Sequence, residues 1–309
     1  MADKVIVLAG PTASGKTALS IELAKLYNGE IVSADSMQIY KRMDIGTAKA
    51  TAEEQAQAVH HMIDVAEPNE DYSVSRYVEE AEKCCRDIIS RGKMPIICGG
   101  TGLYIDSLLS GRNFAQKEED NSVRDELSAE YDEVGGEEML RRLALVDPDR
   151  AEKLHPSDKR RIVRALEIFK LTGMTITEHD AATKALPPRF DAKTIVLNFK
   201  DRQDLYDRIN LRVDLMKELG LFEEVSTLLE SGLDDECTAM QAIGYKEVVQ
   251  ALRGEISREE ALEQIKMGSR RYAKRQLTWF RRTEGALWIE WDKQPDVQAA
   301  LQKIKEFIG

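Results

Sequence analysis

Apolar residues run along this chain in two rhythms. Short continuous apolar stretches at residues 4–9, 30–34, 93–98 and 194–199 read as buried strands, with a last short strand at 288–291. Between them apolar residues recur at three-to-four spacing, which predicts helices at 18–27, 51–59, 73–91 and 103–109. In the 73–91 segment Val74, Tyr77, Val78, Ala81, Cys85 and Ile88 form the stripe, and Ser73 or Ser75 suits the N-cap. Alternation of strand and helix predicts an α/β fold built on a parallel sheet. From Arg112 the pattern changes: residues 112–188 are charged, lack strand-like runs and carry helical patterns at 121–134, 137–145 and 157–171. They read as an all-helical insertion closed by Leu186-Pro187-Pro188. Residues 1–111 and 189–309 then form one core, whose second part continues in helices at 201–219, 221–231, 238–252 and 258–280 and ends in another helix.

The first strand runs into Gly10-Pro11-Thr12-Ala13-Ser14-Gly15-Lys16-Thr17. The spacing G-x-x-x-x-G-K-T between a strand and a helix is that of a P-loop, a nucleotide-binding motif of the ATP-binding type. Glycines let successive backbone N–H groups turn inward around a polyphosphate; Lys16 adds a point charge and Thr17 a hydroxyl suited to Mg²⁺. In a parallel sheet ligands gather beyond the carboxyl ends of the strands. Two further segments occupy such ends: Asp35 after the second strand and Gly99-Gly100-Thr101-Gly102 after the third. A carboxylate at Asp35 suits a water-mediated Mg²⁺ contact or a general base; the plainer alternative is an Asp that caps its own turn. Thr101 can bond a substrate or simply cap the helix behind it. An ordinary P-loop hydrolase has an acid at the end of that third strand to hold Mg²⁺ and position water. Glycines stand there instead, which argues against nucleotide hydrolysis as the task.

Composition narrows this further. At 309 residues, 42% hydrophobic and 32% charged, the chain is that of a globular protein with a sizeable core. The apolar start is too short for a signal peptide or membrane span, so a cytoplasmic location is expected. Cys84, Cys85, Cys98 and Cys237 show no zinc or disulfide spacing, and His60 and His61 pair with no carboxylate at metal-ligand spacing. The net charge of −11 makes two cationic stretches stand out. One is Asp158-Lys159-Arg160-Arg161 with Arg164. The other holds Arg270, Arg271, Lys274, Arg275, Arg281 and Arg282 with no acid between them. Both suit a nucleic-acid backbone, or else a solvated helix face balanced by acids elsewhere. The helical spacing of Tyr272, Trp279 and Phe280 assigns them to a core rather than to stacking on bases.

Taken together, these segments resemble the tRNA dimethylallyltransferases, also called tRNA isopentenyltransferases. The resemblance rests on the P-loop, on Ser33-Ala34-Asp35-Ser36-Met37-Gln38-Ile39-Tyr40, on Gly46-Thr47-Ala48-Lys49, on Gly99-Gly100-Thr101-Gly102-Leu103-Tyr104, on Gly244-Tyr245, and on Arg271, Lys274-Arg275-Gln276 and Trp279-Phe280. It spans nearly the whole chain and fits the short bacterial form without a C-terminal zinc finger. It implies a P-loop NTPase-like sheet with a helical insertion that contacts tRNA. The implied reaction moves a dimethylallyl group from dimethylallyl diphosphate to N6 of adenosine 37 beside the anticodon, the P-loop and Mg²⁺ holding the diphosphate leaving group. Asp35 is implied as base, Thr101 as a contact of the reacting region and Arg208 as a further diphosphate cation. Asp35 to Gln38, Thr101, Arg124, Asp158 to Arg161, Gln241, Gly244, Tyr245 and Lys246 are implied tRNA contacts, and the charge pattern of Arg270, Arg271, Lys274 and Arg275 adds those cations to the expected tRNA surface. Nothing in the sequence demands more than a monomer. The competing readings are a small-molecule P-loop kinase, prenyl transfer to a free adenine nucleotide, and a non-catalytic nucleotide-binding switch.

Overall fold

The computed structural model describes residues 3–111, 122–184 and 186–309. The chain divides into two compact units: a core, Met1–Leu109 with Arg189–Gly309, and a helical unit, Ser110–Pro188. The expected boundary at Arg112 and the expected helix start at Asn121 lie outside the described residues.

The first half of the core is strands β1 (Asp3–Ala9), β2 (Gly29–Ser33), β3 (His60–His61) and β4 (Met94–Gly99) with helices α1 (Lys16–Leu26), α2 (Ala52–Gln55), α3 (Val74–Ser90) and α4 (Gly102–Leu109). In β1 every residue from Val5 to Ala9 is buried, as expected of a central parallel strand covered on both faces. The Ser73 hydroxyl caps α3 by accepting from Arg76 N–H. Two local expectations shift. The helix expected over 51–59 stops at Gln55. The two histidines then form a short edge strand, placed by pairing with β2 and by the buried Glu30 carboxylate, which takes up His61 Nε2 at 2.7 Å. Pairing of that kind leaves no periodic signal in so short a segment.

The helical unit comprises α5 (Ser122–Val134), α6 (Gly136–Val146), α7 (Pro148–Ala151), α8 (Lys159–Thr172) and α9 (Ile176–Lys184). Leu127, Met139, Ile162 and Val163 form its main apolar cluster. Buried Asp147 ties its end together, capping α7 at Arg150 N–H and accepting from the Thr177 hydroxyl at 2.6 Å.

The core resumes with β5 (Phe190–Phe199), helices α10 (Arg202–Glu218), α11 (Leu221–Glu230), α12 (Tyr245–Leu252) and α13 (Arg258–Phe280), strand β6 (Leu287–Trp291) and α14 (Val297–Ile308). The helix expected over 238–252 starts only at Tyr245. Gly244 sits at φ +104°, a left-handed conformation that interrupts the helical path, and its N–H is held by Glu247. All six strands pair in parallel in the order β3-β2-β4-β1-β5-β6. β1 is therefore flanked by β4 and β5, and three strand ends meet at one edge of the sheet. Ile6, Leu8, Leu19, Leu23, Ile96 and Leu197 lie in one apolar cluster. A second, including Ile39, Tyr40, Phe222, Tyr245 and Val248, packs α11 and α12 against the segment after Asp35.

Candidate active site at the carboxyl edge of the sheet

The loop from Gly10 to Gly15 joins β1 to α1, and Gly15 at φ +88° turns the chain into the helix. Lys16 and Thr17 thus open α1, where backbone N–H groups have no partner within the helix. Lys16 Nζ donates to the carbonyls of Gly10 (3.0 Å) and Pro11 (2.7 Å). Burial pushes the Lys16 ammonium down to about 8; Arg212 acts in the same direction, and Cys98 and Asp35 oppose it. The Ser14 hydroxyl is fully buried and has no hydrogen-bond partner among the described residues. An orphaned buried hydroxyl is costly, so the loop has an unmet polar demand. From below, Trp291 Nε1 donates to Ser14 O at 2.9 Å and fixes the loop to β6.

Helix α10 supplies two cations. Arg208 Nε donates to Ala13 O at 3.1 Å, so the sequence-expected arginine lies against the P-loop. One turn on, Arg212 Nη1 donates to the Thr12 hydroxyl at 3.4 Å, and burial lowers its guanidinium. Sequence reading missed Arg212, although its spacing from Arg208 places both on one helix face.

Asp35 follows β2. Its Oδ1 accepts from Met37 N–H (2.9 Å) and Gln38 N–H (3.4 Å), the local turn that the plainer reading foresaw. Its Oδ2 accepts no hydrogen bond among the described residues. The carboxylate charge acts on Lys16, Arg212 and the Tyr272 phenol, which places it among the cradle's cations. The Thr101 hydroxyl accepts from Ser36 N–H at 3.0 Å and lies 3.4 Å from Ser36 Oγ, bonding the loop after β4 to the loop after β2.

The rest of the 33–40 segment is scaffold. Gln38 accepts from the Ser33 hydroxyl and donates to the carbonyls of Thr47 and Ala48, each at 3.2 Å. Glu224 of α11 holds the neighbouring turn, accepting from the backbone N–H groups of Asp44, Ile45 and Gly46 and from the Tyr245 hydroxyl (2.6 Å). Tyr245 is completely buried, so its side chain serves the fold and not an RNA surface. Gly244 is buried as well, while Gln241 and Lys246 are exposed.

On α13 the expected cations divide. Arg271, Lys274 and Arg275 are exposed, and Arg270 donates to Asn210 Oδ1 on α10 at 2.6 Å. Phe280 is core as expected, but Trp279 remains 37% exposed and donates to Asp106 at 2.8 Å. Gln276, overlooked as a site residue, lies buried between the P-loop and the loop after β4. Within the helical unit Arg124 and Arg164 both pair with buried Glu167, and Lys159 pairs with Asp132. Asp158 Oδ2 accepts from His155 N–H. Arg160 and Arg161 are exposed, with no ion pair among the described residues.

The described residues contain no helix long and apolar enough to cross a membrane, and no group of three His, Cys, Asp or Glu that could hold a metal. The model of the IPP transferase family matches residues 38–283, and that of isopentenyl transferase matches residues 3–64. A tRNA dimethylallyltransferase of Thermoanaerobacter sp. (strain X514) is 46% identical over the whole chain and 98% of its own length. One from Caldanaerobacter subterraneus is 47% identical with the same coverage. The full-length tRNA isopentenylpyrophosphate transferase of Bacillus halodurans superposes with a TM-score of 0.74 at 41% identity, over 99% of this chain and 95% of that one. A eukaryotic dimethylallyltransferase, solved acting on tRNA, superposes with a TM-score of 0.85 at 31% identity, over 99% of this chain and 79% of that one.

Proposed function

The chain belongs to the family of IPP transferases that includes the tRNA dimethylallyltransferases, and we propose how its residues carry out that family's reaction. The proposed reaction transfers a dimethylallyl group from dimethylallyl diphosphate to N6 of adenosine 37 in a tRNA anticodon stem-loop, releasing diphosphate. One observation carries the assignment of roles. A cationic cradle of loop N–H groups, Lys16, Arg208 and Arg212 stands beside a carboxylate, Asp35, whose Oδ2 accepts no hydrogen bond among the described residues. No acid stands at the end of β4 to position water for hydrolysis.

The diphosphate lies in the loop, where it answers the unpaired Ser14 hydroxyl and draws Lys16 off the loop's own carbonyls. Negative charge grows on the bridging oxygen as the allylic C–O bond breaks, and Lys16 and the two arginines stabilise it. The adenine amine attacks the allylic carbon and its proton passes to Asp35 Oδ2, while the Met37 and Gln38 N–H groups hold Oδ1 in place. Thr101 fixes the Asp35 loop through Ser36.

Thr17 would hold Mg²⁺. Its hydroxyl opens α1 with no partner among the described residues, and a hydroxyl plus diphosphate oxygens is a donor set that Mg²⁺ accepts. Bound there, Mg²⁺ supplies further neutralisation of the departing diphosphate. The exposed cations Arg271, Lys274 and Arg275 on α13 and Arg160 and Arg161 on α8 suit the tRNA backbone. One chain supplies every group named, so the proposed reaction needs no second copy of the chain.

The test is mass spectrometry of nucleosides after reaction of an A37 stem-loop with dimethylallyl diphosphate. Gain of one dimethylallyl group on that adenosine supports the reading. Equal transfer to free AMP, or phosphoryl transfer from ATP in its place, overturns it.

A further inference from the structure

Gln276 is 6% exposed and lies on α13, far in sequence from both loops it touches. Its Oε1 accepts from Thr12 N–H at 2.9 Å, and its Nε2 donates to Gly100 O at 3.0 Å. Both ends of the amide are therefore used, and its orientation is set by what it meets: a donor on one side and an acceptor on the other. There is no slack around it. A Cβ on Gly100 would stand 2.1 Å from Gln276 Nε2, and a Cβ on Gly102 would stand 2.3 Å from the Trp279 indole. The Tyr272 hydroxyl, one turn earlier, sits against Thr101 and Gln276, and burial pushes that phenol up to about 12. One face of α13 is thus pressed onto the loop after β4.

Thr12 belongs to the loop that grips the leaving group. Gly100 precedes Thr101, whose hydroxyl holds Ser36 next to Asp35. The two halves of the transfer therefore sit on separate loops, and the Gln276 amide bonds one to the other. A buried amide must find partners wherever it lies. Here both partners are backbone groups of the loops that must stay in register during reaction.

We propose that Gln276 is a positioning residue: an amide clamp that fixes the spacing between the diphosphate cradle and the Asp35–Thr101 side of the site, and so keeps allylic C–O cleavage coupled to attack by the adenine amine. The proposal rests on the transferase reading above. When the clamp is lost, the C–O bond still breaks and diphosphate leaves. A misplaced amine then yields to water, whose oxygen takes the allylic carbon and whose proton goes to solvent, giving dimethylallyl alcohol.

The test compares diphosphate released with prenylated stem-loop formed, for the wild type, Gln276→Met and Gln276→Glu. The wild type releases one diphosphate per transfer. Gln276→Met keeps the shape without the bonds; its kcat for transfer falls about a hundredfold, as expected for displaced reacting groups. Its KM for dimethylallyl diphosphate stays within about threefold, because the cradle's cations are untouched. Released diphosphate exceeds product, and the surplus appears as the alcohol. Gln276→Glu retains the acceptor for Thr12 N–H but sets a carboxylate against Gly100 O. Once protonated, its hydroxyl replaces the lost donor, so coupling improves toward acid pH while the wild-type ratio stays flat. Should Gln276→Met fail to fold, the pH course of Gln276→Glu decides. Transfer lost with the ratio held at one, a rise in KM alone, or unchanged activity overturns the clamp. A wild-type protein that prenylates no stem-loop overturns the transferase reading instead.

Discussion

Lys16 provides a quantitative test of the P-loop's charge state. Burial takes its ammonium from an ordinary value of 10.5 to about 8, a penalty on the charged form of about 3 kcal/mol. The group is lowered in the folded state, so at pH 7 both states carry the charge and the fold bears the whole penalty. Between pH 8 and 10.5 the folded protein sheds the proton while the unfolded chain keeps it, and stability rises with pH through that window. A diphosphate in the loop supplies the missing counter-charge and restores the proton. Binding above pH 8 must then take up a proton, and affinity must fall by up to about tenfold per pH unit, while remaining flat below pH 7. Calorimetry of inorganic diphosphate in buffers of different ionisation enthalpy reads this directly. Uptake attributable to Lys16 should be about half a proton at pH 8 and about 0.9 at pH 9. Lys16→Met isolates that share, because protonation of the ligand itself is common to both proteins. Equal proton uptake by wild type and Lys16→Met at pH 9 would mean that Lys16 does not take up the proton.

Three other expectations concern the scaffold and the RNA surface. Glu30 is buried and held by the Arg91 fork at 2.5 and 2.7 Å and by Lys93 and His61; Arg91 chiefly holds its carboxyl far below the usual range despite burial. That stability is present above the unfolded value of 4.5 and lost as pH falls, so E30Q should lower stability by about 2 kcal/mol at pH 7 and flatten the acid limb of urea denaturation. An acid limb as steep in E30Q as in the wild type would assign acid loss to other groups. Glu224→Ala strands three backbone donors and the Tyr245 hydroxyl; equilibrium unfolding should show a loss of about 2 kcal/mol, and a neutral result would mean that water replaces the carboxylate. Neutralising Arg271, Lys274 and Arg275 should reduce the salt slope of tRNA affinity by about 2–3 while leaving diphosphate binding unchanged, and an unaltered slope would leave them a solvated face.

What the sequence made legible was local. β1, the P-loop and α1 are contiguous, so a buried run, two glycines and a lysine declare themselves without tertiary information. The parallel sheet followed from alternation of strands and helices. Placement of β5 beside β1 did not, since the helical unit intervenes and a buried run carries no mark of its neighbour. Asp35 and Thr101 were visible as strand-end residues, but the Thr101–Ser36 bond that joins them depends on β2 and β4 being adjacent. Tyr245 shows the opposite failure. Its motif was recognisable, yet the role carried over with it, an RNA contact, is incompatible with complete burial against Glu224. The cationic run on α13 drew attention to charge, whereas the residue that touches the site is the uncharged Gln276 among those cations. A single buried amide has no periodic or compositional signal; only the paths of two distant loops reveal its use.

In this chemistry the P-loop holds a leaving group and cleaves no nucleotide. The most direct measurement is the balance of phosphorus species in a reaction of the stem-loop with dimethylallyl diphosphate and Mg²⁺, with all nucleotide triphosphates removed. Transfer should be undiminished, with one diphosphate released per prenylated adenosine and no orthophosphate. Dependence of transfer on added ATP, or orthophosphate formed in step with product, would contradict that role of the P-loop.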